Sequence, residues 1–287
     1  NSTRMHFRTH VRDAHRDKPG LTSRTEYNDG MIEHDAVIGT LLKVVDDLGI
    51  GNNTIVIYTT DNGPHQNSWP DAGTTPFRSE KNTNWEGAFR VPCLIRWPGR
   101  IQPGSVSNDI VSGLDWLPTL MAAAGDPEIK DKLLKGYQVG SKTAKVHLDG
   151  YNQLPYLTGQ QPNSARKEFI YFNDDGDLVA LRYENWKFVF EEQRALGTMR
   201  IWAEPFTKLR VPKLFDLRSD PYERADVTSN TFYDFFLSDG AGPFIASQAI
   251  VAPFLATFKE YPPSQRPSSF SIDQLVENMQ RSLEPPH

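Results

Sequence analysis

One stretch restricts the fold of this chain more than any other: a helical pattern that ends at a glycine and passes directly into a β-branched run. Across residues 26–48, Met31, Ile38, Leu41, Leu42, Val45 and Leu48 recur at spacings of three, four and seven, with acidic residues elsewhere on the wheel. That spacing predicts an amphipathic helix. Gly49 stands where a helix end wants a residue tolerant of positive φ, and Gly51-Asn52-Asn53 extends the turn. The run Thr54-Ile55-Val56-Ile57-Tyr58-Thr59-Thr60 is nearly continuous rather than alternating, which predicts a strand buried on both faces. Helix, turn and buried strand together predict an α/β layer fold with a mainly parallel sheet. Asp61-Asn62-Gly63-Pro64 closes the strand, and the carboxyl edge of such a sheet is where ligands usually bind.

Residues 65–86 are rich in Gly, Pro, Asn, Ser and Thr without a period, and so read as a long loop of the functional kind. A second strand is expected over Val91–Trp97, ending at Pro98-Gly99, and a helix over Asp115–Ala124, stopped by Gly125. The charged stretch up to Lys145 reads as a surface excursion. Beyond residue 165 the pattern becomes short aromatic strands: Glu168–Phe172, Leu178–Tyr183, Trp186–Glu191 and Lys213–Leu217. Asn173-Asp174-Asp175-Gly176-Asp177 and Tyr183-Glu184-Asn185 supply turns between the first three, which predicts an antiparallel sheet. Apolar helices are expected near 243–259 and 271–283, on either side of a proline-rich break. The division expected is therefore 1–164 and 165–287.

Composition narrows the function classes. With 31 Lys and Arg against 36 Asp and Glu, the net charge is −5, so no basic face able to hold a nucleic acid backbone is expected. No apolar run approaches the roughly 20 residues of a membrane helix. The single cysteine, Cys93, excludes an intramolecular disulfide framework and a thiolate metal cluster, leaves the compartment open, and is expected as a small core residue within its strand. The chain opens at Asn1-Ser2-Thr3-Arg4 with no initiator Met and no apolar leader, as expected of a processed product or a fragment.

Several residues have the types that do chemistry. Asp61 and Asn62 set two oxygen donors at a strand end, a pair suited to a hard cation such as Ca²⁺ or Mg²⁺, although Asp-Asn-Gly is also an ordinary strand-ending turn. Lys81 offers a compact cation to an anionic substrate, while Glu86 and Arg90 are expected to pair at a spacing of four and fix the loop; a solvated charge run is the alternative. His6 and His10 are each able to donate to an anion or carry a proton. Trp69, Asp71 and Phe77 are candidates for the rim of a pocket, with a structural role equally open.

Tyr58-Thr59-Thr60-Asp61-Asn62-Gly63-Pro64-His65, then Phe77-Arg78-Ser79-Glu80-Lys81, Trp85-Glu86-Gly87-Ala88-Phe89-Arg90-Val91-Pro92 and Trp97-Pro98-Gly99 together resemble the arylsulfatase family of type I sulfatases. Asp46-Asp47-Leu48-Gly49, Asp115-Trp116-Leu117-Pro118-Thr119-Leu120, Asp149-Gly150-Tyr151-Asn152, Leu214-Phe215-Asp216-Leu217 and Asp220-Pro221-Tyr222-Glu223 look like the same family, in order, across residues 1–230. The resemblance implies part of an alkaline-phosphatase-like α/β/α sandwich, followed by a smaller C-terminal antiparallel subdomain with helices. It also implies hydrolysis of sulfate esters, whether small molecules or sulfated carbohydrates, around one divalent cation, usually Ca²⁺, and favours a periplasmic or secreted setting. Carried over by residue, Asp61 and Asn62 resemble metal ligands, Lys81 the lysine that bridges sulfate and the catalytic side chain, and His6 the histidine that donates to sulfate.

The sequence also departs from the family. Sulfatases carry a Cys/Ser-x-Pro-x-Arg motif whose first residue becomes formylglycine, and no such motif occurs in these residues; Cys93 is followed by Leu94-Ile95-Arg96. The chain therefore resembles the C-terminal part of a sulfatase, expected to be inactive alone. Two other readings stay open at this point: a phosphodiester or phosphonate monoester hydrolase of the same superfamily, and a non-catalytic module that holds sulfated glycans.

Overall fold

A computed structural model describes residues 11–16, 25–66, 73–197, 199–232, 234 and 241–263. Helix α1 spans Glu26–Asp47 and begins where Thr25 Oγ1 accepts the Asn28 N–H at 3.2 Å, with Glu26 and Asp29 in the first turn to oppose the helix dipole. Gly49 has a φ of +66°, as its place after the helix requires. Strand β1, Val56–Thr59, follows, then the short helix α2, Glu86–Phe89, and strand β2, Cys93–Arg96.

Here the structure departs from the expected parallel sheet. Among the described residues β1 pairs only with β2, antiparallel, with Val56 opposite Arg96 and Thr59 opposite Cys93. The residues of β1 are half-buried to exposed rather than buried on both faces. The reason is that a continuous β-branched run signals burial but not strand direction, which the pairing partner decides, and here that partner is β2. Cys93, expected in the core, is exposed on β2.

Helix α3, Trp116–Ala123, is entered through a reciprocal cap: Ser112 Oγ accepts the Leu114 N–H at 3.2 Å, and Asp115 Oδ2 accepts the Ser112 N–H at 2.9 Å. The stretch expected as a surface excursion holds helix α4, Ile129–Lys135, and a hairpin of β3, Tyr137–Val139, and β4, Lys142–Ala144. A short helix α5, Leu154–Leu157, leads to the second half of the chain.

That half is built on four consecutive antiparallel strands: β5 (Glu168–Phe172), β6 (Leu178–Tyr183), β7 (Trp186–Glu192) and, after the short helix α6 (Arg200–Ala203), β8 (Thr207–Asp216). The last strand begins well before the expected Lys213, because Pro212 interrupts its pattern. The proline is tolerated at a bulge: Val189 faces Lys213, whereas Glu191 faces Lys208. After helix α7 (Ala225–Thr228), helix α8 (Ala241–Thr257) lays Phe244, Ile250 and Val251 against Leu181, Phe188 and Leu214. A second cluster joins Tyr171, Val179, Val189, Phe215 and Phe232 to Trp85, which comes from the loop before α2. The helix expected over 271–283 lies outside the described residues.

Candidate anion and metal site

Asp61 is exposed and Asn62 half-buried, on the turn immediately after β1. Gly63 locks that turn onto α2. Its N–H donates to the Ala88 carbonyl at 2.6 Å, and a side chain there would collide with the Gly87 carbonyl. Gly87 is pressed in turn against the carbonyls of Arg78 and Ser79, and its N–H donates to Arg78 O at 2.8 Å. Two glycines in mutual contact therefore bring the Asp-Asn turn and the lysine loop within backbone distance, closer than any side chain permits.

The lysine loop is held from both ends. The Lys81 N–H donates to Pro64 O at 3.0 Å, which ties the residue to the Asp61–Pro64 turn. Ser79 and Asn82, at φ of 63° and 70°, flank Glu80 and Lys81 in the left-handed region, a conformation that persists only where the surroundings enforce it. Glu80 supplies much of that enforcement. Its buried carboxylate accepts the Gln66 N–H at 2.5 Å on one oxygen and the Gly197 N–H at 3.0 Å on the other, joining three segments beside Lys81.

Glu86 does not pair with Arg90. Its carboxylate is buried and receives the Tyr171 hydroxyl at 2.8 Å, the Lys187 ammonium at 3.2 Å and the Arg182 guanidinium at 3.0 Å. Arg90 instead lies over the Phe77 ring, 4.6 Å from its centre. The spacing of four failed as a guide because α2 is a single turn, and packing against β5, β6 and β7 aims Glu86 inward. Burial pushes the Glu86 carboxyl up, but the charges of Lys187 and Arg182, with hydrogen bonds from Tyr171 and Lys187, outweigh it and hold the group below its ordinary range. Glu223 shares the ammonium, 2.7 Å from Lys187 Nζ, and is shifted the other way: burial and the Glu86 charge raise it more than Lys187 lowers it.

Of the residues chosen from sequence, Asp61, Asn62 and Lys81 are thus brought to one place, while His6, His10, Trp69 and Asp71 lie outside the described residues. Phe77 packs on Tyr222, with ring centres 5.8 Å apart, and under Arg90. Asp61 and Asn62 carry oxygen donors of the type that hard cations take. The Asn62 amide nitrogen donates to Gly63 O at 2.7 Å, and Asp61 Oδ1 accepts the Thr60 hydroxyl at 3.4 Å. No cluster of three or more His, Cys, Asp or Glu able to hold a metal ion occurs among the described residues.

Other sequence motifs resolve into scaffold. Asp115 is fully buried; Arg166 grips it at 2.6 Å and the Tyr151 N–H donates to it at 2.8 Å, so the segments around Asp115 and Asp149-Gly150-Tyr151-Asn152 brace each other. Sequence reasoning gave Glu80 and Lys187 no role of their own. Their roles depend on partners more than a hundred residues away, Gly197 for Glu80 and Glu86 for Lys187.

Helices and strands in this order, followed by a four-stranded antiparallel sheet, match solved sulfatases of alkaline-phosphatase-like fold. Among solved structures the PsFucS1 sulfatase from Pseudoalteromonas sp. matches with a TM-score of 0.64 and 27% identity, over 83% of this chain and 44% of that one. The Sulfatase family profile matches residues 4–126, and the profile described as N-sulphoglucosamine sulphohydrolase, C-terminal, matches residues 79–236. The chain belongs to the sulfatase family. It is 32% identical over 243 residues to steryl-sulfatase from Mus musculus and 33% identical over 213 residues to arylsulfatase A from Homo sapiens. Those alignments cover 76% and 70% of this chain but 36% and 39% of the relatives, so it spans well under half of their length.

Proposed function

We propose that this chain is part of a hydrolase of sulfate esters and contributes to its active site one side of a divalent-metal centre and a sulfate-binding cation. Asp61 and Asn62 would hold the cation, Ca²⁺ in preference to Mg²⁺, through oxygen donors; His6 would join Lys81 in binding the anion. When bound, such an ion polarises an ester oxygen and offsets developing negative charge. The work of the chain's own residues is electrostatic: Lys81, on a loop already held in place, meets the sulfate without having to be ordered during reaction. The formylglycine and the remaining metal ligands would come from polypeptide outside these residues, and the chain alone would not turn over substrate.

The observation that carries this reading is the backbone link between the two candidate elements, Lys81 to Pro64 and Gly63 to Ala88. A further support is apolar surface left in water. Leu41 and Leu48 on α1, Leu94 on β2 and Leu117 on α3 are 50% exposed or more, where additional polypeptide would pack. The test uses the protein expressed from its complete open reading frame. Asp61→Ala should abolish calcium binding by titration together with aryl sulfate turnover, and Lys81→Ala should lower kcat by about 10² to 10³ while calcium stays bound. Unchanged turnover in both variants would remove the assignment.

A further inference from the structure

We propose that Trp202 forms a wall for the carbon ring, pyranose or aryl, of a ligand whose anionic sulfate head sits on Lys81. The proposal rests on the reading of Lys81 given above and extends it to the part of the ligand that determines selectivity.

Between the end of β7 and β8, residues 193–197 are bolted to the lysine loop by hydrogen bonds that cross the chain, and residues 199–206 follow. Asn84 Nδ2 donates to Glu191 O at 2.7 Å, the Gln193 N–H donates to Asn84 Oδ1 at 3.4 Å, and the Gly197 N–H donates to Glu80 at 3.0 Å. Gln193 then closes the segment on itself, its amide nitrogen donating to Glu204 O at 2.7 Å and to Ile201 O at 3.3 Å. Glu80, Asn84 and Gln193 are all buried, so these bonds are shielded from water and set the segment firmly. Ile201, also buried, anchors α6.

Against that fixed background Trp202, the next residue, is 47% exposed, with Leu196 and Met199 of the same segment more exposed still. The Lys81 ammonium lies 5.6 Å from the centre of its ring, and the His65 ring meets it nearly edge-on at 6.1 Å. A large aromatic held in place with half its surface in water, beside a cation, has the two parts needed to bind a ring that bears an anion. The ammonium takes the charged head, and the indole takes the apolar face of the ring attached to it.

Sulfonates test this without hydrolysis, because their carbon–sulfur bond is not an ester. Methanesulfonate carries the head alone, benzenesulfonate adds an aryl ring, and 6-deoxy-6-sulfoglucose adds a pyranose. In calorimetric titrations of the protein from its complete open reading frame, Trp202→Ala and Trp202→Leu should each weaken one or both ring-bearing ligands about tenfold and leave methanesulfonate unchanged. Trp202→Phe should restore most of the loss. Which ring is affected identifies the ligand as aryl or carbohydrate. Lys81→Ala should weaken all three. If Lys81→Ala weakens all three while both Trp202 variants bind every ligand as the wild type does, or lose methanesulfonate equally, the wall is overturned and the anion site stands. If methanesulfonate does not bind, or Lys81→Ala has no effect, the anion reading fails and this inference with it.

Discussion

The ammonium of Lys187, near the start of β7, lies 3.2 Å from Glu86 Oε1, although 101 residues separate the two along the chain. Neither side chain reaches water. This contact makes the lysine loop part of the core of the antiparallel sheet, since Glu86 follows Lys81 by five residues. The Glu86 N–H also donates to Glu223 Oε2 at 2.7 Å, and Arg78 donates to Glu223 O at 2.8 Å, so the loop's far side is held by the segment after β8. The geometry of the candidate site is thus decided in a cluster of buried charges behind it.

Removing the central cation should be severe. Lys187→Met leaves Glu86 and Glu223 buried without the ammonium they share, and the loss of one partner from such a group costs about 3 to 5 kcal/mol. Chemical denaturation of variant and wild type measures it, and a difference below about 1 kcal/mol would contradict the role assigned to Lys187.

Acid should act on the same cluster. Glu86 is held below its ordinary pKa of 4.5, so its contribution to stability is complete above that value and is lost as pH falls through the lower, folded-state pKa. Glu223 is raised and has the opposite sign: the stability linked to its protonated form is present below 4.5 and lost as pH rises through its folded value. Denaturation midpoints should therefore fall as pH drops below 4.5 in the wild type, with a shallower fall in Glu86→Gln. Parallel profiles for the two proteins would remove Glu86 as the source.

Arg90 should matter little for folding. Its contact is with the half-exposed Phe77 ring, and cation–π contacts at such sites contribute about 0.5 to 1 kcal/mol. Arg90→Ala should shift the thermal midpoint slightly, and Glu86→Ala much more. Equal losses would point back to a Glu86–Arg90 pair.

The close approach at Gly63 gives a backbone test. Gly63→Ala drives a methyl into the Gly87 carbonyl and should separate the Asp61–Asn62 turn from the lysine loop, lowering both thermal midpoint and calcium affinity. Gly113→Ala, where a side chain meets nothing within 4 Å, serves as the control and should change neither. A Gly63→Ala protein that melts and binds calcium like the wild type would show that the contact is not needed.

Asp115 provides the contrasting case of a motif residue with no chemical task. Asp115→Ala strands the buried Arg166 guanidinium and should cost about 3 to 5 kcal/mol, with methanesulfonate affinity unchanged in the fraction that folds. Loss of affinity in excess of unfolding would mean that Asp115 does more than brace the scaffold.

The sequence by itself determined what depends on neighbours along the chain. The extent of α1, the glycine at its end, the aromatic strands β5 to β7 and the turns between them follow from periodicity and turn chemistry, which act over a few residues. The family motifs likewise singled out Asp61, Asn62 and Lys81, and the structure brings those three to one place. Tertiary structure decided the rest, because long-range contacts override local spacing. It directed Glu86 to Lys187 rather than to Arg90, paired β1 with β2 antiparallel, and left Cys93 on the surface. It also set Trp202 beside Lys81 through Glu80 and Gly197, residues whose meeting no pattern in the sequence announces. Buried charges and close glycine contacts gain their meaning only from what surrounds them, and the fold supplies those surroundings from segments a hundred residues apart.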